Sequence, residues 1–148
     1  MNSSLKYLII ILISIAIILI MWNPFASKVK FKDIEIEGVK LKAEVAESAT
    51  ERMKGLMFKN NLSENECMLF IFPKEGRHSM WMMNMKFPID IIWADSKGKI
   101  VDIVTNAQPC TLNCPNYRPK EDAKYVIETI ANFTLKNYIK IGSMVKMD

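Results

Sequence analysis

Read from the amino end, the chain changes its hydrophobic rhythm once, from an unbroken apolar run to a strict alternation. From Leu5 to Trp22 the residues LKYLIIILISIAIILIMW carry one charge, Lys6. At about 1.5 Å per helical residue they cover about 27 Å, close to the hydrocarbon thickness of a bilayer. A core helix would show a polar stripe every three or four positions, and only Tyr7 and Ser14 interrupt this run. The pattern predicts a single transmembrane helix, with Lys6 able to snorkel and Trp22 standing where an interfacial aromatic belongs. A cleaved signal peptide is the alternative. Small residues at alternating positions should then follow the run, and of Trp22, Asn23, Pro24, Phe25 and Ala26 only Ala26 fits well. The reading adopted is an uncleaved signal-anchor over residues 1–22.

Residues 23–33 (NPFASKVKFKD) form a short basic tether, after which apolar and polar positions alternate. The stretch IEIEGVKLKAEVA predicts a hairpin turning at Glu37-Gly38, with Ile34 and Ile36 on one arm and Val39, Leu41, Ala43 and Val45 on the other. ESATERMKG predicts one short helix, capped by Ser48 or Thr50 and stopped at Gly55. CMLFIF, residues 67–72, reads as an inner strand ended by Pro73. IDIIWADSKGKIVDIV predicts a second hairpin, with Ile89, Ile91 and Trp93 sharing a face and Asp95 to Gly98 turning. An irregular segment over 106–122 follows, then a strand in KYVIET, a short helix in ANFTLKNY and a last strand in SMVKM. Residues 34–148 are thus expected to form one mainly-β domain, a jelly-roll-like sandwich or partly closed barrel with two short helices. About 125 residues outside the anchor suffice for one core and not for two.

The net charge is +4, and Lys6 in the anchor accounts for one of those. No basic cluster or Gly-rich phosphate loop appears, which sets nucleic acid aside as a partner, and no cofactor is implied. Charge does not fix the anchor's orientation, because lysines lie on both sides of it. The three cysteines bear on that point. Cys110 and Cys114 sit in a loop bracketed by Pro109 and Pro115, and no second Cys or His pair exists to complete a structural zinc site. A disulfide fits better and calls for an oxidising exterior, so the expected location is the cell membrane, single-pass, with the carboxy-terminal domain outside the cytoplasm. Cys67 reads as a small buried hydrophobe.

TERMKGLMF, CMLFIF, WMMNMKFPIDIIW, PCTLNCPNY and YVIE occur in an order and spacing that resembles domain of unknown function family 192, over nearly everything from Ile34 to Val145. The resemblance implies a mainly-β, jelly-roll-like domain, often behind an export signal or anchor. The matching positions are Arg52, Gly55, Leu56, Met57, Met68, Leu69, Phe70, Trp81, Met82, Asn84, Pro88, Asp90, Cys110, Cys114, Tyr117 and Glu128. Cys67, Met80, Met83, Met85 and Asn132 depart from the family's usual glycine, phenylalanine, lysine, threonine and glycine.

Candidate chemistry concentrates in and around HSMWMMN, residues 78–84, which holds the chain's one histidine and three of its 11 methionines. On a strand, His78, Met80 and Met82 would face one way, and an imidazole with two thioethers is a donor set for Cu(I) or Ag(I). Successive ligands on a strand lie about 7 Å apart, and methionine recurs throughout the chain, so Met80 and Met82 are read first as core with Trp81 on the opposite face. Arg52, Asn84 and Asp90 are the matching polar residues most suited to binding. With Trp81 as a stacking wall they would form a surface for a small ligand or an envelope partner. A hydrolase acting on envelope material through two of Asp90, Asp95, Asp102 and Glu128 is the alternative. No serine or cysteine lies in a turn that would present a nucleophile.

Overall fold

The alternation about Glu37-Gly38 folds as expected. In the computed structural model, which describes residues 3–21 and 29–147, with side chains of residues 3–17 and 29–147, β1 (Lys30–Ile36) and β2 (Val39–Ala46) pair antiparallel with Ile36 opposite Val39. Glu37 (φ 48°) and Gly38 (φ 83°) both lie in the left-handed region, as a two-residue hairpin turn of the right twist requires. β1 begins inside the predicted tether, at Lys30, where charged residues alternate with an exposed Phe31 beneath the Lys42 ammonium. Residues 23–28 of that tether lie outside the described residues.

Upstream, α1 (Ser3–Met21) is a continuous helix whose large apolar side chains are exposed from Leu5 to Ile17. Among the described residues no helix is long and apolar enough to cross a membrane. Trp22 and the side chains of residues 18–21 lie outside the described residues, so the predicted transmembrane segment Leu5 to Trp22 is not borne out by the structure.

α2 (Ala49–Lys54) starts at a reciprocal cap, in which the Ser48 hydroxyl accepts from the Glu51 N–H while the Glu51 carboxylate accepts from the Ser48 N–H. The helix carries the chain from β2 to β3 (Glu66–Gly76), which runs parallel to β2. β3 does not stop at Pro73. It continues to Gly76, and residues 72–75 make no ladder pairs with β8 (Ala123–Ile130), so a residue without an N–H is tolerated there. β4 (Met80–Trp81) pairs with β7 (Asn116–Tyr117) in a separate two-stranded ribbon. The predicted second hairpin forms from β5 (Ile89–Ala94) and β6 (Ile100–Ala107), and α3 (Phe133–Lys136) and β9 (Val145–Met147) complete the chain's elements.

One sheet holds seven strands in the order β6-β5-β8-β3-β2-β1-β9, and its two edges approach each other. β9 pairs with β1 on one side, while the Val145 N–H donates to the Gly98 carbonyl and the Ile100 N–H to the Ser143 carbonyl on the other, both at 2.8 Å. The architecture is therefore a curled half-barrel. This agrees with the expected partly closed barrel and corrects the jelly-roll-like sandwich, because a single sheet bends round instead of two sheets stacking. Gly98 sits at the seam with φ 83°, and a Cβ there would collide with the Val145 carbonyl oxygen. Gly38 has the same φ and open space around it. Gly98→Ala is expected to destabilise by roughly 2 kcal/mol or more, and Gly38→Ala by about 1 kcal/mol from the left-handed backbone alone. Urea unfolding of the two variants checks this, and equal losses would dismiss the seam as the cause.

The inside of the curl is filled from both edge strands and the centre, by Ile34, Ile36, Leu41, Leu69, Ile92, Ile100, Ile127 and Val145, with Phe133 and Ile139 as a plug. Cys67 belongs to this cluster, and burial pushes its thiol up to about 12, as befits a structural residue. The outer face buries Phe70, Ile89, Ile91, Trp93 and Val126 under Leu56 and the segment 80–85.

Candidate functional site

The stretch HSMWMMN crosses the outer face as cover. Met80 and Met82 are buried and Trp81 points away, 46% exposed, which bears out the alternation read from the sequence. His78 leaves that series: its ring stacks on Phe72 with centroids 3.6 Å apart, and its Nε2 lies 2.9 Å from the Lys74 carbonyl oxygen. The soft-metal set His78, Met80, Met82 is therefore not assembled. Asn84 occupies the left-handed region (φ 56°), which asparagine tolerates better than most residues, and ends a tight turn. That turn is stitched to the following loop, because the Asn84 N–H donates to the Cys110 carbonyl and the Cys110 N–H to the Met82 carbonyl. Cys110 is joined to Cys114 by a disulfide, with Cα atoms 5.5 Å apart, as the sequence predicts.

Arg52 projects from α2, donates to the carbonyls of Glu47 and Ile71, and lies 5.0 Å from the Phe72 ring centroid. These contacts fasten the helix to β3. Asp90 is not on the surface predicted for it. It is 0% exposed, and its carboxylate accepts from the N–H groups of Asn106, Asn132 and Thr134 and from the Thr134 hydroxyl. Of the expected binding set, Arg52 and Trp81 come together in one recess, Asn84 shapes the adjoining turn, and Asp90 serves the far side of the sheet.

The floor of that recess is Glu128. In β8 it stands opposite Met68 of β3 and Ile91 of β5, so its side chain shares the outer face with theirs. It is 3% exposed, and among the described residues no hydrogen bond or ion pair reaches its carboxyl. Burial alone raises its pKa from 4.5 to about 8, which keeps the group uncharged at neutral pH. Above it lies a cavity of about 20 Å³, room for one water molecule, lined also by Arg52, Met53, Lys54, Gly55, Leu56, Met57, Phe70, Met80, Trp81 and Met85. Two open grooves adjoin it through shared residues. One runs along Ser79, Met80, Trp81, Cys114, Pro115 and Asn116, the other along Met85, Gln108–Leu112, Pro115 and Tyr117, each about 460 Å³.

The other carboxylates do not join Glu128. Asp90 pairs with Thr129, one residue along, and so points to the opposite face. Asp102 accepts from its neighbour Ile103 N–H and ties the segment at Lys120 to β6, while Asp95 accepts from the Lys97 and Lys99 N–H groups and holds the β5–β6 turn. Glu128 was legible as one of several acids, but not as the centre of a site. The available signal was an acid two places from Val126, on the same face of a largely apolar strand.

A curled single sheet with an unpartnered buried acid beneath a short helix and a disulfide-stitched loop defines a small β domain with a recess on its convex face. The chain belongs to domain of unknown function family 192: the family's model, described as Uncharacterized ACR, matches residues 32–147. It is 34% identical over 107 residues to a UPF0127 protein of Thermococcus gammatolerans, covering 71% of this chain and 65% of that one. To UPF0127 protein PYRAB11210 of Pyrococcus abyssi it is 32% identical over 120 residues, covering 78% and 91%. The chain spans between about half and two thirds of the length of the Thermococcus relatives it matches. Two crystal structures share the fold. The protein named "putative transcription regulator (R01717)" from Sinorhizobium meliloti 1021 has TM-score 0.75 at 25% identity, covering 82% of this chain and 96% of that one. A protein of unknown function from Novosphingobium aromaticivorans has TM-score 0.72 at 25% identity, covering 82% and 89%. Among the residues through which this sequence resembles the family, Arg52, Gly55, Leu56, Met57, Phe70, Trp81 and Glu128 all line the recess.

Proposed function

We propose that this chain is a membrane-anchored, extracytoplasmic binding module whose small ligand seats one water-sized group in the recess over Glu128. The rest of the ligand lies along the flanking grooves, against Trp81. The observation that carries this reading is Glu128, a residue 3% exposed whose carboxyl lines the recess and takes no hydrogen bond from the described residues, beneath family-matching side chains. An acid enclosed with only a water-sized space before it is costly, and natural proteins concentrate such groups at functional sites. A ligand group that donates a hydrogen bond or carries positive charge satisfies it. Met53 and Trp81, 66% and 46% exposed, supply apolar contact at the mouth. The Cys110–Cys114 pairing supports placing the domain outside the cytoplasm. The hydrolase alternative has no second carboxylate beside Glu128 among the described residues, and binding is the better reading.

Screening a fragment library by NMR tests it. Compounds that bind are expected to shift the Trp81 indole together with the Met57, Met80 and Met85 methyls, and Glu128→Gln is expected to alter which compounds do so. A library in which nothing moves that set of signals removes the reading.

A further inference from the structure

We infer that the recess of this chain takes a soft monovalent cation, Cu(I) or Ag(I), held by the thioether sulfurs of Met57, Met80 and Met85 against the Trp81 indole, with the Glu128 carboxylate balancing its charge. The inference rests on the proposed binding role of the recess and narrows it to a ligand class. Three features of the cavity converge. The first is donor chemistry: four methionines line one cavity, Met53 at its mouth as well as the three within, and thioethers select soft ions while offering nothing to Mg²⁺ or Ca²⁺. Met80 and Met85 are positions where this chain departs from the family's usual pattern, so the enrichment belongs to this sequence.

The second is size. A cavity of about 20 Å³ suits a bare ion or one water-sized group. The third is charge. Glu128 is the one acid among the described residues that line the cavity, so a carboxyl oxygen stands where a bound cation would meet it. Arg52, which also lines the wall, is held on the Glu47 and Ile71 carbonyls. Methionine's flexible stem lets the sulfurs close on an ion, and the half-exposed indole supplies a cation–π wall. His78, stacked on Phe72, takes no part.

The test is an Ag(I) titration of the full chain carrying Cys67→Ala, which removes the free thiol on the other side of the sheet. Saturation at one Ag(I) per chain is expected, with quenching of indole fluorescence and shifts of the Met57, Met80 and Met85 methyls. The Met147 methyl, on β9, is expected to stay still. Met80→Leu, Met85→Leu and Glu128→Gln are each expected to weaken binding about tenfold or more. The leucine variants conserve volume and keep the fold. No saturable binding, shifts at other methionines only, or undiminished affinity in both leucine variants overturns the assignment. If fragments still shift the recess signals while Ag(I) does not, the soft-cation inference fails and the binding role stands. If neither does, both fail.

Discussion

Asp90→Ala is expected to destabilise the domain by roughly 4 kcal/mol or more, lowering its thermal midpoint on the order of 10 °C. The carboxylate is 0% exposed and gathers four donors from two separate parts of the chain: Asn106 N–H at 2.8 Å, and Asn132 and Thr134 N–H at 2.9 Å with the Thr134 hydroxyl at 2.5 Å. Both parts turn through left-handed asparagines, Asn106 (φ 52°) and Asn132 (φ 65°), which need a fixed partner to hold an uncommon backbone. Asn132 makes no cap of its own for α3, so Asp90 caps that helix from the neighbouring strand. Alanine leaves one buried and two part-buried N–H groups unpaired, each costing up to about 1–3 kcal/mol. Differential scanning calorimetry checks this. A midpoint within about 2 °C of the parent would return Asp90 to the pool of ligand-binding candidates.

Stability is expected to fall as pH rises from 4.5 to about 8, by roughly 1.4 kcal/mol per unit, through the one residue Glu128. Across that window the folded chain keeps the Glu128 proton and the unfolded chain does not, so the folded state binds the extra proton and loses ground as protons become scarce. The contribution is whole below 4.5, is lost as pH passes about 8, and totals on the order of 5 kcal/mol. Glu35, Glu51 and Glu75 are held below the usual carboxylate range by hydrogen bonds, from Lys146, from backbone at Ser48 and Glu47, and from Ser96 respectively. Their support is present above 4.5 and fades as pH falls, so their window does not overlap that of Glu128. Glu128→Gln is expected to flatten the upper slope and to be more stable than the parent at pH 8. Urea titrations at several pH values decide it, and a parent whose stability is level from pH 5 to 8 would show that water or a partner already serves the carboxyl.

How far the sequence foretold these features depends on how local their causes are. Both hairpins and the α2 cap were readable because two-residue turns, alternation and Ser48 with Glu51 act within a few positions. The extension of β3 past Pro73 was not, since tolerance there comes from ladder pairs that β8 fails to make. Arg52 and Trp81 line one recess, and the Cys110–Cys114 pairing followed from their place in one loop and the lack of a second Cys or His pair for zinc. Asp90 was misjudged because nothing within ten residues of it announces amides arriving from positions 106, 132 and 134. Glu128 was named without its significance, because its isolation is made by elements far away in sequence: α2, β3 and the turn after β4.

The place of β8 between β5 and β3 fixes an order of assembly. Until residues 123–130 exist, the β1–β2–β3 group and the β5–β6 hairpin have no shared edge, and each exposes an unpaired strand. The segment that welds the two halves is the one bearing Glu128, so the join at the middle of the sheet takes an acid out of water, and it is the protonated carboxyl that this join favours.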